Sequence, residues 1–356
     1  RLQLGGYIAY GTKDEELKYG AHLKYKVSEK PLQWFGLEHK DDIVQLGQSA
    51  NAFAGDNILA SAFRRTPPDR LTRNVHYSGY FEHEWFPGLS NKVRMANDTY
   101  TPLGELNYTY YVDDTQTDSS DVINTTELTF STRFAYREKF VAGKFSRISL
   151  GSKYPVVQID YTMGLKGAFD SKFEYNKLTL RSWDRVPINP IGYTYIVLES
   201  GKIWGTVPYP LLEVHRGNES LFYDYLSFNL MNYYEFVSDA YISVFATHHF
   251  EGFFFDKIPL FRKLKWREVA AVKAVAGSLT RSNVEILSDK NAFATLGKPY
   301  VETQLGVENI FRIIRIDFIW RLSYTNKEYQ EQNKVRFGND SRIAKFGIRG
   351  SLALRF

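Results

Sequence analysis

From residue 17 to residue 27 the chain alternates without a break. Leu17, Tyr19, Ala21, Leu23, Tyr25 and Val27 are apolar or small, and Lys18, Gly20, His22, Lys24 and Lys26 lie between them. Successive side chains of an extended strand point to opposite faces, so this segment has one apolar face and one polar face. The pattern returns at 157–165, at 314–324 and at 346–356, where Phe346, Ile348, Gly350, Leu352, Leu354 and Phe356 alternate with residues such as Gly347, Arg349, Ser351 and Arg355. Runs of nine to eleven residues exceed the soluble strand of about 5–6 residues and match a tilted strand crossing a bilayer.

Weaker alternation marks further strands at 2–10, 32–40, 75–85, 92–111, 127–136, 173–183, 193–204, 240–250, 268–277 and 300–307. That makes fourteen, and 145–151 with part of 43–74 would bring the number to sixteen. Compact connections dense in Pro, Gly, Asp and Asn fall at 11–16, 28–31, 87–91, 167–172 and 187–192. Long polar connections fall at 43–74, 112–124, 205–239, 278–299 and 325–342. Transmembrane barrels have this asymmetry between their two rims. In this register the two kinds of connection do not alternate perfectly, which implies that a strand or two is misplaced. The expected fold is an all-β transmembrane antiparallel barrel of sixteen strands, with fourteen as the alternative, occupying residues 1–356 as a single domain.

Composition agrees. Mean hydropathy is −0.35, and no run of 18 apolar residues occurs, which excludes membrane-spanning helices. There are 26 Phe, 25 Tyr and 6 Trp; clusters at 34–35, 85–86, 108–111, 204, 233–234, 253–255, 266 and 320 would form girdles at the lipid–water boundary. The absence of cysteine removes disulfides, thiolate metal sites and cysteine nucleophiles. Basic residues are spread over many strands, so the net charge of +5 does not point to nucleic acid. Outer-membrane lipids are the expected surroundings. The chain starts at Arg1, without methionine or apolar leader, and reads as a mature or excised segment. The terminal Phe356 after alternating apolar residues has the form of an outer-membrane assembly signal, placing the barrel in a bacterial outer membrane.

The loop at 205–239 carries Val214, His215, Arg216 and Gly217 in succession, with five candidate strands after it. In this it resembles the outer-membrane insertase superfamily, which includes the barrel-assembly factor and the two-partner secretion translocators. That resemblance implies a long loop folded into the barrel with an Arg-Gly-aromatic tip, although Asn218 stands at the aromatic position. The segments 82–92, 133–141, 228–238, 248–253 and 263–268 resemble an uncharacterised family of outer-membrane proteins. These proteins join a carboxypeptidase-regulatory-like periplasmic domain to a C-terminal barrel. The resemblance implies a chain without that N-terminal domain, with no catalysis and no cofactor.

An inward Arg216 needs a carboxylate partner, since a desolvated guanidinium is costly unpaired; Glu302, Glu308 and Asp317 are the candidates. A weak seam between a first strand with Gly5 and Gly6 and a last strand with Phe346, Gly350 and Phe356 would leave edges that template an incoming strand. This predicts help in inserting or translocating client outer-membrane proteins. The alternative is a transport or structural barrel that passes a small solute or docks a partner lipoprotein. Ser220, His215 and Asp224 supply the residue types of a hydrolase but no nucleophile elbow. His248 and His249 are adjacent on a strand and face opposite sides, so they cannot readily share a metal, and no metal site is expected.

Overall fold

The computed structural model describes residues 1–11, 15–46, 70–104, 110–111, 119–143, 147–286, 293–337 and 343–352. Fourteen strands form one antiparallel meander in which each pairs with its neighbours in sequence. They are β1 (Leu2–Tyr10), β2 (Leu17–Glu29), β3 (Leu32–Val44), β4 (Arg70–Phe86) and β5 (Leu89–Gly104), then β6 (Ile123–Ala135), β7 (Val156–Gly164), β8 (Tyr175–Pro187) and β9 (Tyr193–Trp204). After the long loop come β10 (Ala240–His249), β11 (Arg267–Ser278), β12 (Tyr300–Ile310), β13 (Ile314–Arg321) and β14 (Phe346–Leu352). Each expected strand corresponds to one of these.

Burial shows which face is which. In β13, Arg315, Asp317 and Arg321 are 7%, 0% and 4% exposed, whereas Phe318 and Trp320 are 37% and 39% exposed. A soluble sheet would bury the aromatic face; here the charged face is inside, as in a membrane barrel. The charged face meets the loop 205–239. Glu199 of β9, Lys273 of β11, Glu302 of β12, Arg321 of β13 and Arg349 of β14 all bond that loop, and so does the Leu46 backbone just past β3. A sheet whose distant strands reach one loop must curl around it. Among the described residues no helix is long and apolar enough to cross a membrane.

Of the two strand numbers considered, the sheet has fourteen among the described residues. The segment at 145–151 does yield a strand, Arg147–Gly151, but it pairs with Lys139–Ala142 in a separate ribbon. Strands of five and four residues fall well below the roughly 9–11 needed to span a bilayer. Of the segment 43–74, β3 and β4 take the two ends, and residues 47–69 lie outside the described residues.

The mixed alternation of connections has a simple resolution. The chain leaves β3, β5, β9, β11 and β13 at one rim, while the tight turns at 30–31, 87–88, 188–192 and 311–313 lie at the other. Among the described residues the meander has no gap, and the short connections that follow β1 and β7 start from the long-loop rim as well. At the turn after β4, Gly88 has φ 100°, and a Cβ there would come within 2.3 Å of the Ala135 carbonyl, so only glycine fits. Aromatics gather at this rim: Trp85, Phe86, Phe254 and Phe311 are exposed. Two expected girdle sites face inward instead. Tyr234 is fully buried in the loop, and Trp34 lies under the Lys24 ammonium at 4.1 Å.

Leu305, exposed on the outer face at the middle of β12, tests which face meets lipid. Leu305→Arg should cost about 2–4 kcal/mol in urea unfolding from lipid vesicles; unchanged stability would contradict the assignment of faces.

Candidate functional site: the inward loop and the open seam

The loop leaves β9 at Trp204 and turns inward through a short 3-10 segment, Tyr209–Leu211. Val207, Tyr209, Leu211 and Leu212 are buried against Ile123 and Ile203 of the wall, and Tyr209 stacks on Phe293 at 3.8 Å. The pairing of Glu213–Val214 with Val237–Ser238 closes the neck. Asp239 anchors its end: its carboxylate accepts hydrogen bonds from the Thr280 N–H (2.8 Å), Asn283 (3.0 Å) and Lys202 (3.2 Å). Beyond the neck, Leu226, Phe228, Met231 and Phe236 pack against Phe245, Val275 and Tyr300 of the wall.

Val214 is part of the neck, and His215, Arg216 and Gly217 follow it. The Arg216 guanidinium donates to Glu199 of β9, which also accepts from Arg181 of β8 at 2.7 Å, and it lies over the Phe245 ring at 5.4 Å. Arg216 therefore does not meet the three acids expected for it. The neck holds it beside β9, whereas β12 and β13 face residues 223–235 farther along the loop. A Cβ on Gly217 would sit 2.6 Å from the Asn232 carbonyl and 2.7 Å from that of Met231, so the returning chain needs glycine here. Asn218 replaces aromatic packing with hydrogen bonds, donating to Asn229 Oδ1 and the Phe222 carbonyl, both at 2.7 Å. Phe228, bridged to Gly217, supplies a buried ring. His215 is buried with Nε2 2.9 Å from Ser238 Oγ, and burial pushes its imidazole down to about 3.

Glu302 does hold the loop, but through main chain: it accepts the N–H groups of Asn229 (2.8 Å) and Leu230 (2.7 Å), with the Tyr300 hydroxyl at 2.6 Å. Glu308 lies 3.1 Å from His249, and Asp317 forms a bidentate pair with Arg315 at 2.8 Å. Sequence reasoning missed two central wall residues, Lys273 and Arg321. Lys273 of β11 donates to the carbonyls of Asp224 (2.6 Å) and Ser227 (2.7 Å). Arg321 pairs with Glu235 of the loop at 2.6 Å, both side chains being 0% exposed, and Tyr329 adds a bond to Glu235 at 3.0 Å. Their inward register was readable from the alternation, but their partners are mostly loop carbonyls, which any residue supplies.

The seam lies between the first and last strands. Among the described residues no ladder joins β1 to β14. The Lys26 N–H donates to the Arg1 carbonyl, so the odd positions of β1, including Gly5, bond β2, and the even ones, including Gly6, face the seam. The Arg321 N–H donates to the Lys345 carbonyl, so on β14 the even positions, including Phe346 and Gly350, face the seam. Phe356 lies outside the described residues. Every residue of β1 except Gly5 is exposed, and Ile8 reaches 78%.

The polar loop residues do not assemble a hydrolase site. His215 meets Ser238, Ser220 Oγ donates to Asn218 at 2.7 Å, and Asp224 accepts from Ser227 at 2.9 Å. On the opposite wall, Asp98, His76 and Ser78 form a hydrogen-bonded chain of 2.8 and 3.0 Å. Ser78 and Gly79 are both paired to β3 and β5, so their N–H groups belong to the ladder rather than to an oxyanion hole. His248 bonds Thr194 at 2.8 Å and His249 faces Glu308, so the two histidines point to different partners.

Arg321→Ala would leave the Glu235 carboxylate buried without its counter-charge, and should cost about 3–5 kcal/mol in vesicle unfolding while opening residues 205–239 to protease; a loss under about 1 kcal/mol would contradict the lock. His215 stays neutral in the fold while the unfolded imidazole protonates near 6.5. Stability should therefore fall as pH drops from 6.5 toward 3, by up to about 1.4 kcal/mol per pH unit. The decline should be shallower in His215→Gln, and an equal slope in both proteins would contradict the assignment.

The fold is similar to that in the crystal structure of BamA from Haemophilus ducreyi lacking POTRA domains 1-3. The match has a TM-score of 0.51 and 12% sequence identity, covering 99% of this chain and 70% of that one. At that identity the likeness is one of fold. No curated protein matches the chain. Residues 1–286 match a family described as "Family of unknown function (DUF5686) C-terminal domain", and over this span, most of its length, the chain belongs to that family.

Proposed function

We propose that the chain is an integral barrel of the bacterial outer membrane that works as an insertase, assisting the assembly or translocation of outer-membrane or surface proteins. One observation carries the reading: among the described residues the meander ends in two strand edges with no ladder between them. An exposed edge is a row of backbone donors and acceptors, and such rows recruit other strands. Soluble proteins cover them; here β1 stands exposed on both faces. Its even side chains Leu2, Leu4 and Ile8 are apolar and exposed, so a client strand pairing there would have its own apolar face turned to lipid, as its final barrel requires. Outer-membrane lipids surround the barrel in this reading, and the client is an outer-membrane protein with amphipathic strands. The periplasmic carboxypeptidase-regulatory-like domain implied by the sequence resemblance would lie before β1, at the short-turn rim.

The test joins the two edges. Leu4→Cys or Ile8→Cys, each combined with Ile348→Cys, is linked by a short bismaleimide in the full chain reconstituted in phospholipid vesicles. The probe is an unfolded eight-stranded outer-membrane protein, and its folding rate is measured. Linked chains should accelerate folding at least tenfold less than unlinked chains. Equal acceleration would overturn the insertase reading in favour of a transport or docking barrel.

A further inference from the structure

The edge of β14 already holds a strand-like piece of the chain's own loop. The Gly350 N–H donates to the Leu221 carbonyl at 3.2 Å, and the Tyr223 N–H donates to the Gly350 carbonyl at 2.7 Å. Phe222 and Gly350 are thereby a parallel bridge pair. Both Gly350 groups point away from β13, because the Arg321–Lys345 bond turns the odd positions of β14 toward β13. Arg349 adds a second tie: its guanidinium donates to the Ile348 carbonyl at 3.1 Å and to the Asn229 carbonyl of the loop at 3.0 Å.

The hairpin that carries this segment is held from inside. Asn218 bonds Asn229 at 2.7 Å, the Tyr223 hydroxyl accepts from Gln304 at 2.8 Å, and Arg315 lies over the Tyr223 ring at 4.5 Å. We propose that residues 221–223 are a built-in cap on the β14 edge, standing where an incoming strand must pair and leaving when such a strand displaces them. The proposal rests on the insertase reading of the seam and adds its regulation.

Two features make the cap displaceable. It runs parallel to β14, whereas a strand continuing the meander would run antiparallel, the slightly more stable pairing per residue. It also bridges β14 at a single position, Gly350, while a longer strand would reach the seam-facing groups of Phe346 and Leu352 as well. Gly350 lies toward the short-turn rim, where β1 begins, so a strand arriving from that side meets the cap first. Tyr223 and Asn229 connect the cap to Gln304 and Glu302 inside the lumen, so its release loosens the inward loop.

The test uses Phe222→Cys with Gly350→Cys in the full chain in phospholipid vesicles. A Cβ on Gly350 meets nothing closer than the Arg315 carbonyl at 3.8 Å, and residues bridged across neighbouring strands lie within disulfide reach. Phe346, exposed on the outer face away from the cap, is replaced by a photo-crosslinking amino acid that reports an arriving strand. Without client the disulfide should form readily under mild oxidant, and saturating unfolded eight-stranded outer-membrane protein should slow it at least tenfold. The oxidised chain should lose at least tenfold of its photo-adduct with that protein, and reduction should restore it. Failure of the disulfide to form overturns the cap whatever the barrel does. A locked chain whose adduct and client folding match those of the reduced chain also overturns the cap, while the insertase reading stands on its own edge-joining test. If the unlocked chain folds no client, the insertase reading has failed, and the cap is judged by disulfide formation alone.

Discussion

Charge cannot be left unpaired inside this barrel, and the inward loop exists in its observed form because it answers that requirement. The Arg321–Glu235 pair, 0% exposed on both sides, is its sharpest case. Removing two ions from water costs more than their attraction returns unless geometry and further hydrogen bonds are good. Here Tyr329 adds a bond to the carboxylate, and Arg321 also reaches the Leu230 carbonyl. Lys273 and Glu302 follow the same rule with main-chain partners. The polar faces of β9–β14 therefore specify where the loop must lie, and the loop in turn packs against those faces.

The other half of the wall solves the same problem without the loop. Asp41 accepts a bidentate pair from Arg73 at 2.8 and 2.9 Å, and Asp98 accepts from His76 and Asn74. These partners sit on adjacent strands, so that half is stitched along the sheet rather than across the lumen. β1 has little of either kind of support. Its main inward tie is the Tyr7 hydroxyl to Asp42 of β3, and its outer side chains stand in the open. The seam is thus where each stabilising pattern ends, which is why the edges there remain to be used.

Much of the wall was legible from alternation alone. The limits of β1 and β9 coincide with the expected segments, and each remaining strand differs mainly by a few residues at its ends. Strand ends are set by turn geometry and neighbours, which period-two patterning does not encode. The inward loop was recognisable from Val214 to Gly217, and Glu302 from its inward register. The partner of Arg216 was not legible, because the neck between 213–214 and 237–238 decides that it meets β9. Tyr234 read as a girdle residue because a ring in a polar loop looks the same in sequence whether it faces lipid or fills a lumen. The contact of Gly350 with Leu221 and Tyr223 had no side-chain signal at all, since it is made entirely by backbone groups.

The central claim is that the sheet ends in open edges at β1 and β14, with the loop touching one of them. Residue-resolved amide hydrogen exchange in lipid vesicles reads this directly, because each N–H along an edge strand faces either its ladder or the seam. The account predicts slow exchange at the odd positions Gln3, Gly5 and Tyr7 and fast exchange at Leu4, Gly6 and Ile8. On β14 it predicts fast exchange at Phe346 and Ile348 and slow exchange at Gly347, Arg349 and Gly350. Uniform protection along both strands would mean that β1 and β14 pair with each other, and the account would be wrong.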